Sequence, residues 1–204
     1  DTARGIEAQA PDLWHVRDLA NYKEVFVDEE EPSKGRIYGA ISGWEIDMIM
    51  YDKVVHYGLD KDFNYFRPGS QAAMDAVFST AYEKGEPVVG YYWEPTWLLG
   101  KYDMILLEDE PYDPDRYING ETECPSVPVT VACSNAFAEE QPEYVEFLKK
   151  YETSSAFTSQ GLAYMQDEGA NYEEAARYML QTNEAMIDQW LPAELAQKVK
   201  ETLK

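Results

Sequence analysis

Two short segments carry the side chains best suited to gripping a small molecule. Ser42-Gly43-Trp44-Glu45-Ile46 and Tyr92-Trp93-Glu94-Pro95-Thr96-Trp97 each follow a run that reads as a β-strand, and the first opens directly onto a helix. A desolvated ring of tryptophan faces is what a quaternary ammonium needs. Such a cation donates no hydrogen bonds, so its recognition falls to the ring quadrupoles, each contributing up to about 2 kcal/mol. A carboxylate on the same ligand would find its complement in the N–H groups of Glu45 and Ile46 at a helix N-terminus. The small residue Gly43 lets the backbone come close. Taken one at a time, tryptophans beside strands are more readily explained as core.

Other chemistries find less support. His15 and His56 fall in unrelated segments with no cysteine or carboxylate at metal-ligand spacing, so each reads as a surface or half-buried side chain. Asp109, Asp113 and Asp115 lack the spacing and turn glycine of a calcium loop and read as a solvated acidic loop. No glycine-rich phosphate loop, dinucleotide fingerprint or nucleophile elbow occurs. The expectation is a protein without a catalytic site, metal or cofactor.

The composition agrees. The 204 residues hold 39 acidic and 17 basic side chains, a formal net charge of −22, which removes the basic face a nucleic-acid partner requires. The same charge would be repelled by an anionic leaflet, and no apolar run approaches the roughly 18 residues of a membrane helix, so no membrane insertion is expected. With 45% hydrophobic and 14% aromatic residues the chain can bury a core. Its first residue is Asp1 and no signal-peptide pattern follows, which reads as a processed chain or a piece of a longer one. Cys124 and Cys133 flank an extended-looking segment and are expected to be free thiols.

The elements that must position the two turns read as an α/β layer with a mostly parallel sheet. Residues 12–26 form a short amphipathic element, closed by Asp28-Glu29-Glu30-Glu31-Pro32, which reads as a surface turn. Arg36 to Ile41 is a strand, followed by a helix from Ile46 to Tyr57 with Gly58 as its C′ residue. Phe63 to Phe66 is a second strand, then a helix runs from the N-cap Ser70 to Lys84 and stops at Gly85. Pro87–Tyr92, Met104–Leu107 and Val127–Ala132 read as further strands. From Gln141 the chain turns helical, with helices around Tyr144–Leu148, Phe157–Met165, Tyr172–Trp190, and Pro192–Leu203 with Pro192 at N1.

At these residues the sequence resembles the substrate-binding proteins of ABC transporters for glycine betaine, proline betaine and related compatible solutes. The resemblance is carried by Gly39-Ala40-Ile41-Ser42-Gly43-Trp44-Glu45, Pro68-Gly69-Ser70, Gly85-Glu86-Pro87-Val88 and, most specifically, Tyr91-Tyr92-Trp93-Glu94-Pro95-Thr96-Trp97 with the following Leu98 to Asp103. Asn135-Ala136-Phe137 and Asp188-Gln189-Trp190 extend it through the carboxyl-terminal region. It implies a type II periplasmic-binding-protein fold in which two α/β lobes close on the ligand. Residues 12–130 would be the second lobe, and 131–204 a return segment whose helices pack on the first. Trp44 and Trp93 would be cage walls, with Gly43 and the amides of Glu45 and Ile46 at the carboxylate. The implied role is the extracytoplasmic solute-binding component of an importer, with an ABC permease as partner and a betaine-type ligand. Choline or carnitine is the alternative cation, and a carbohydrate-active protein using the rings as sugar platforms the alternative class. The resemblance also implies that most of the first lobe, with another cage tryptophan, lies outside this chain.

Overall fold

The computed structural model describes residues 4–204. In chain order its elements are β1 (Gly35–Tyr38), α1 (Glu45–His56), β2 (Phe63–Phe66), α2 (Gln71–Lys84), α3 (Trp97–Lys101), α4 (Pro114–Tyr117), α5 (Asn135–Glu140), α6 (Pro142–Lys150), α7 (Ser155–Glu168), α8 (Tyr172–Thr182), α9 (Glu184–Trp190) and α10 (Ala193–Leu203). The described residues fall into two compact units, 4–93 with 104–126, and 94–103 with 127–204.

The first unit is built on a β-α-β crossover. β1 and β2 pair in parallel, Gly35 opposite Phe63 and Tyr38 opposite Phe66, and α1 connects them. The third expected strand joins at a single bridge. Tyr38 N–H donates to Val89 O (3.0 Å), and Tyr91 N–H donates to Tyr38 O (2.7 Å). The core beneath gathers Leu13, Leu19, Ile37, Val54, Leu59 and Phe63. α2 starts and stops where its residues dictate: the Ser70 hydroxyl accepts from Ala73 N–H, and Gly85 takes the left-handed conformation at its end. Residues 12–26 contain a 3₁₀ helix, Val16–Tyr22, that buries Leu19.

Several expectations need correction here. Met104–Leu107 and Val127–Ala132 are not strands. Apolar β-branched runs pair only where another backbone is offered, and among the described residues none is, so Leu106 stands 93% exposed and Val129 fully so. Pro128 also removes an N–H donor from the second run. The acidic run after Val27 is a turn, yet its first residue is not solvated: Asp28 is 2% exposed. It accepts from Arg36 Nη2 (2.6 Å), Asn64 Nδ2 (3.0 Å) and the N–H of Glu30 (2.8 Å), tying the turn to both strands. Asp109 likewise is no solvated carboxylate. It is buried against Lys53 of α1 and the Tyr57 hydroxyl, while Lys53 Nζ also donates to Thr122 O (2.6 Å). Asp113 caps α4 through the N–H groups of Asp115 and Arg116. His15 is buried too, its Nδ1 accepting from Arg17 N–H (3.1 Å).

The second unit is helical. α3 packs on α7 so closely that an added Cβ at Gly100 would lie 2.1 Å from the carbonyl oxygen of Ser159. The buried Thr96 donates its N–H to Ser159 Oγ (3.2 Å), fixing the same contact. α7 and α8 are joined by Tyr164 and Tyr178, stacked at 3.9 Å and 6°. Ile187, Ala196 and Leu203 form the core between α9 and α10. The helix expected over Tyr172–Trp190 is broken at Asn183, whose Nδ2 donates to Met179 O (2.9 Å) as Thr182 Oγ1 donates to Tyr178 O (2.9 Å); the side chains compete with the backbone ladder. Pro192 is the N-cap of α10, one place before N1. α3 and α5 had no strong periodic signal. Both cysteines are free, as expected.

Two outcomes test this packing. Burial alone would raise the Asp28 carboxyl, but its bonds from Arg36, Asn64 and Glu30 N–H, with the Arg36 charge, outweigh that and hold it well below the usual carboxylate range. A depressed carboxyl stabilises the fold above its unfolded-state range near pH 4, and that stabilisation is lost as pH falls further. Denaturant unfolding of Asp28→Ala at neutral pH should show a loss on the order of 3 kcal/mol, because Arg36 loses its buried partner and keeps the solvent-exposed Glu30 (3.2 Å), and the gap to the parent should shrink in acid. Gly100→Val should cost about 1–3 kcal/mol, since the contacting atom is backbone and cannot swing aside.

Candidate functional site

The backbone bonds of Tyr38 to Val89 and Tyr91 place two chain segments side by side, so the turn after β1 and the turn after residue 92 leave the same end of the sheet. Gly43 lies in the first at φ +92°, a conformation that side chains rarely adopt, with nothing near its missing Cβ. It delivers Trp44 to the N-cap of α1 in an extended conformation. An indole has no acceptor for the first helical N–H groups, so no capping bond covers Glu45 and Ile46, and that terminus stays open as a weakly positive pole. Trp44 and Glu45 are exposed and Ile46 half-buried.

Trp93 comes from the second turn, and the two indoles meet edge-on, ring centres 5.2 Å apart at 71°. The five residues singled out from the sequence thus form one patch of the first unit: Gly43, Trp44, Glu45 and Ile46 from one turn, Trp93 from the other. Trp97, in the same aromatic run, instead begins α3 in the second unit, edge-on to Tyr102. Trp14 is 56% exposed, its carbonyl accepting from Glu108 N–H (2.7 Å).

The patch holds residues that sequence reasoning missed. Tyr91 lies nearly parallel to Trp93, at 6.0 Å and 22°, and Tyr92 does so at 4.9 Å and 22°. Burial, with Cys124 and Tyr117 nearby, pushes the Tyr91 phenol up to about 12, so it is a neutral ring at physiological pH. At the base of the turn Asp47 is 4% exposed, its carboxylate accepting from Arg67 Nε (2.8 and 2.9 Å) and from the Tyr65 hydroxyl (3.1 Å). The Arg67 guanidinium lies 5.2 Å from the Tyr51 ring and 4.8 Å from that of Tyr65. That ion pair secures the first turn of α1. Among the described residues no His, Cys, Asp or Glu group is arranged to hold a metal, and no helix is long and apolar enough to cross a membrane.

The family model for the substrate binding domain of ABC-type glycine betaine transport systems matches residues 5–182. The chain belongs to this family. It is 24% identical over 154 residues to the glycine betaine/carnitine transport binding protein GbuC of Listeria monocytogenes, covering 76% of this chain and 48% of that protein, so it spans about half the length of that relative. Two solved structures share the fold, each with a TM-score of 0.52. The glycine betaine, L-proline-binding protein ProX of Borrelia burgdorferi is 15% identical over 92% of this chain and 64% of its own, and lactococcal OpuAC is 19% identical over 89% and 63%. The fold is therefore of the type II periplasmic-binding-protein kind, and this member of the glycine betaine transport family is a binding domain, not an enzyme.

The ring environment has a spectroscopic consequence. In a phenolate absorbance titration the half-buried Tyr91 phenol should ionise well after the exposed tyrosines, near pH 12, and Tyr91→Phe should take one phenol out of that late part of the curve while leaving the earlier steps in place.

Proposed function

We propose that this chain contributes the Trp44–Trp93 patch to a receptor that captures a betaine-type osmolyte and delivers it to an ABC permease outside the cytoplasm. The carrying observation is the edge-on contact of the two indoles beside an uncapped helix terminus. Two ring faces offer negative potential to a trimethylammonium group, and the N–H groups of Glu45 and Ile46 offer the opposite pole to a carboxylate a few bonds away. Gly43 keeps the approach to those amides clear. The pairing of poles suits glycine betaine better than choline, which has no carboxylate to occupy the helix end. Carnitine carries both groups, and the Listeria relative is named for betaine and carnitine. A sugar would need convergent side-chain donors and acceptors around the rings. The exposed polar side chains of these two turns are Ser42, Glu45 and Glu94.

In this reading residues 12–130 are the second lobe of a clamshell, and 131–204 the segment that returns to the first. The first lobe's remaining wall and carboxylate contacts come from polypeptide beyond these 204 residues. Capture is then a two-lobe event: the rings of this chain hold the cation and closure excludes water from it.

Calorimetry with glycine betaine, proline betaine, carnitine, choline and a set of sugars decides among the ligands. In a receptor carrying both lobes, Trp93→Ala should weaken betaine binding about 30- to 1000-fold, on the order of 2–4 kcal/mol, because each wall also keeps water from the other. Trp14→Ala should change nothing. The 204-residue chain by itself should bind the same ligand weakly or not at all; micromolar or tighter binding by a monomer would overturn the division into lobes, and preference for a sugar would overturn the site.

A further inference from the structure

The Trp93 indole is backed by the ring of Tyr92, which is itself anchored to α2. Tyr92 donates its hydroxyl to Asp75 Oδ1 at 2.6 Å, and its ring meets Phe78 edge-on at 5.3 Å. Asp75 and Phe78 stand three residues apart and so share one face of the helix. Phe78 is 3% exposed and is itself edge-on to Tyr38, the β1 residue that bonds the third segment to the sheet. From this anchored position the Tyr92 ring stacks on Trp93 at 4.9 Å and 22°, and Trp93 meets Trp44 at 5.2 Å. Successive residues of an extended chain point to opposite sides. Here two successive rings stack at 4.9 Å and so lie on one side of the chain, and strand alternation does not set the angle of the indole. Packing alone does not account for the tyrosine, because phenylalanine would fill the same space; the hydroxyl adds one directed bond to α2.

We propose that Tyr92 is a positioning residue for the ligand patch: its bond to Asp75 fixes the ring against which Trp93 stacks, and so fixes the angle at which Trp93 faces Trp44. The inference deepens the proposed function and rests on it for Trp93 as a ligand wall, while the positioning itself stands on the contacts above. A supporting side chain of this kind decides whether a binding wall is held rigidly or left free to turn.

The test uses the coupling of two indoles in edge-on contact, which gives a paired positive and negative band in the far-ultraviolet circular dichroism of the 204-residue chain. Trp44→Phe and Trp93→Phe should each abolish that couplet and so assign it. Tyr92→Phe should reduce it about twofold or more with the thermal midpoint nearly unchanged. On the half-exposed helix face, Asp75→Ala should reduce it similarly, whereas Asp75→Asn, which keeps an acceptor oxygen, should restore it. A couplet of parental size in Tyr92→Phe, equal loss in Asp75→Asn and Asp75→Ala, or a parent chain without a couplet would each overturn the proposal. If the couplet responds as expected but no trimethylammonium compound binds the two-lobed receptor, the positioning role stands and the ligand assignment fails.

Discussion

Everything in the first unit that could meet a ligand depends on the backbone of one residue. Tyr38 pairs with Phe66 on one side of β1 and, through its N–H and carbonyl, with Val89 and Tyr91 on the other. Parallel neighbours end in the same direction, so the turns that follow them leave from one edge of the sheet. Without that arrangement Trp44 and Trp93, 49 positions apart, would have no reason to meet. The site is therefore a product of strand order first and of aromatic chemistry second.

Charge is distributed with the same economy. A chain with 39 carboxylates and 17 cationic side chains cannot neutralise its surface, and it does not. Three buried acids instead each take a specific basic partner: Asp28 takes Arg36, Asp47 takes Arg67, and Asp109 takes Lys53. Each pair ties a turn to a strand or helix of the first unit. The Tyr57 hydroxyl joins the last of them, and its phenol is pushed well above its ordinary range by burial and by the Asp109 carboxylate. These cations are consumed in holding the scaffold, which leaves the aromatic patch to present ring faces.

How much of this could be read from sequence depends on how local the deciding contact is. The limits of α2 were legible because Ser70 and Gly85 act within one turn of themselves. That Trp44 and Trp93 would come together was legible because each sits just past a strand-like run, in segments whose pattern is specific. Asp28 was not, since an acidic residue heading an acidic run resembles solvated turn, and only the arrival of Arg36 and Asn64 makes burial affordable. Met104–Leu107 and Val127–Ala132 have strand composition, but a strand is a relation between two backbones and the second is absent among the described residues. Tyr92 and Asp75 stand 17 residues apart, and nothing short of the packing of α2 against the third segment reveals their bond.

The bare valines have a colloidal meaning. Val127, Val129 and Val131 alternate along an uncharged segment and stand 75%, 100% and 56% exposed, a pattern that invites pairing with the same segment of another copy. What opposes it is Pro128, which withholds an N–H from any such ladder, together with long-range repulsion between chains that each carry a formal charge of −22. That repulsion reaches only about 10 Å at 0.1 M ionic strength and shortens as salt rises. Dispersal of the isolated chain is thus a property of its solvent: salt, or acid that approaches the sequence pI near 4.3, withdraws the protection that its own sequence provides.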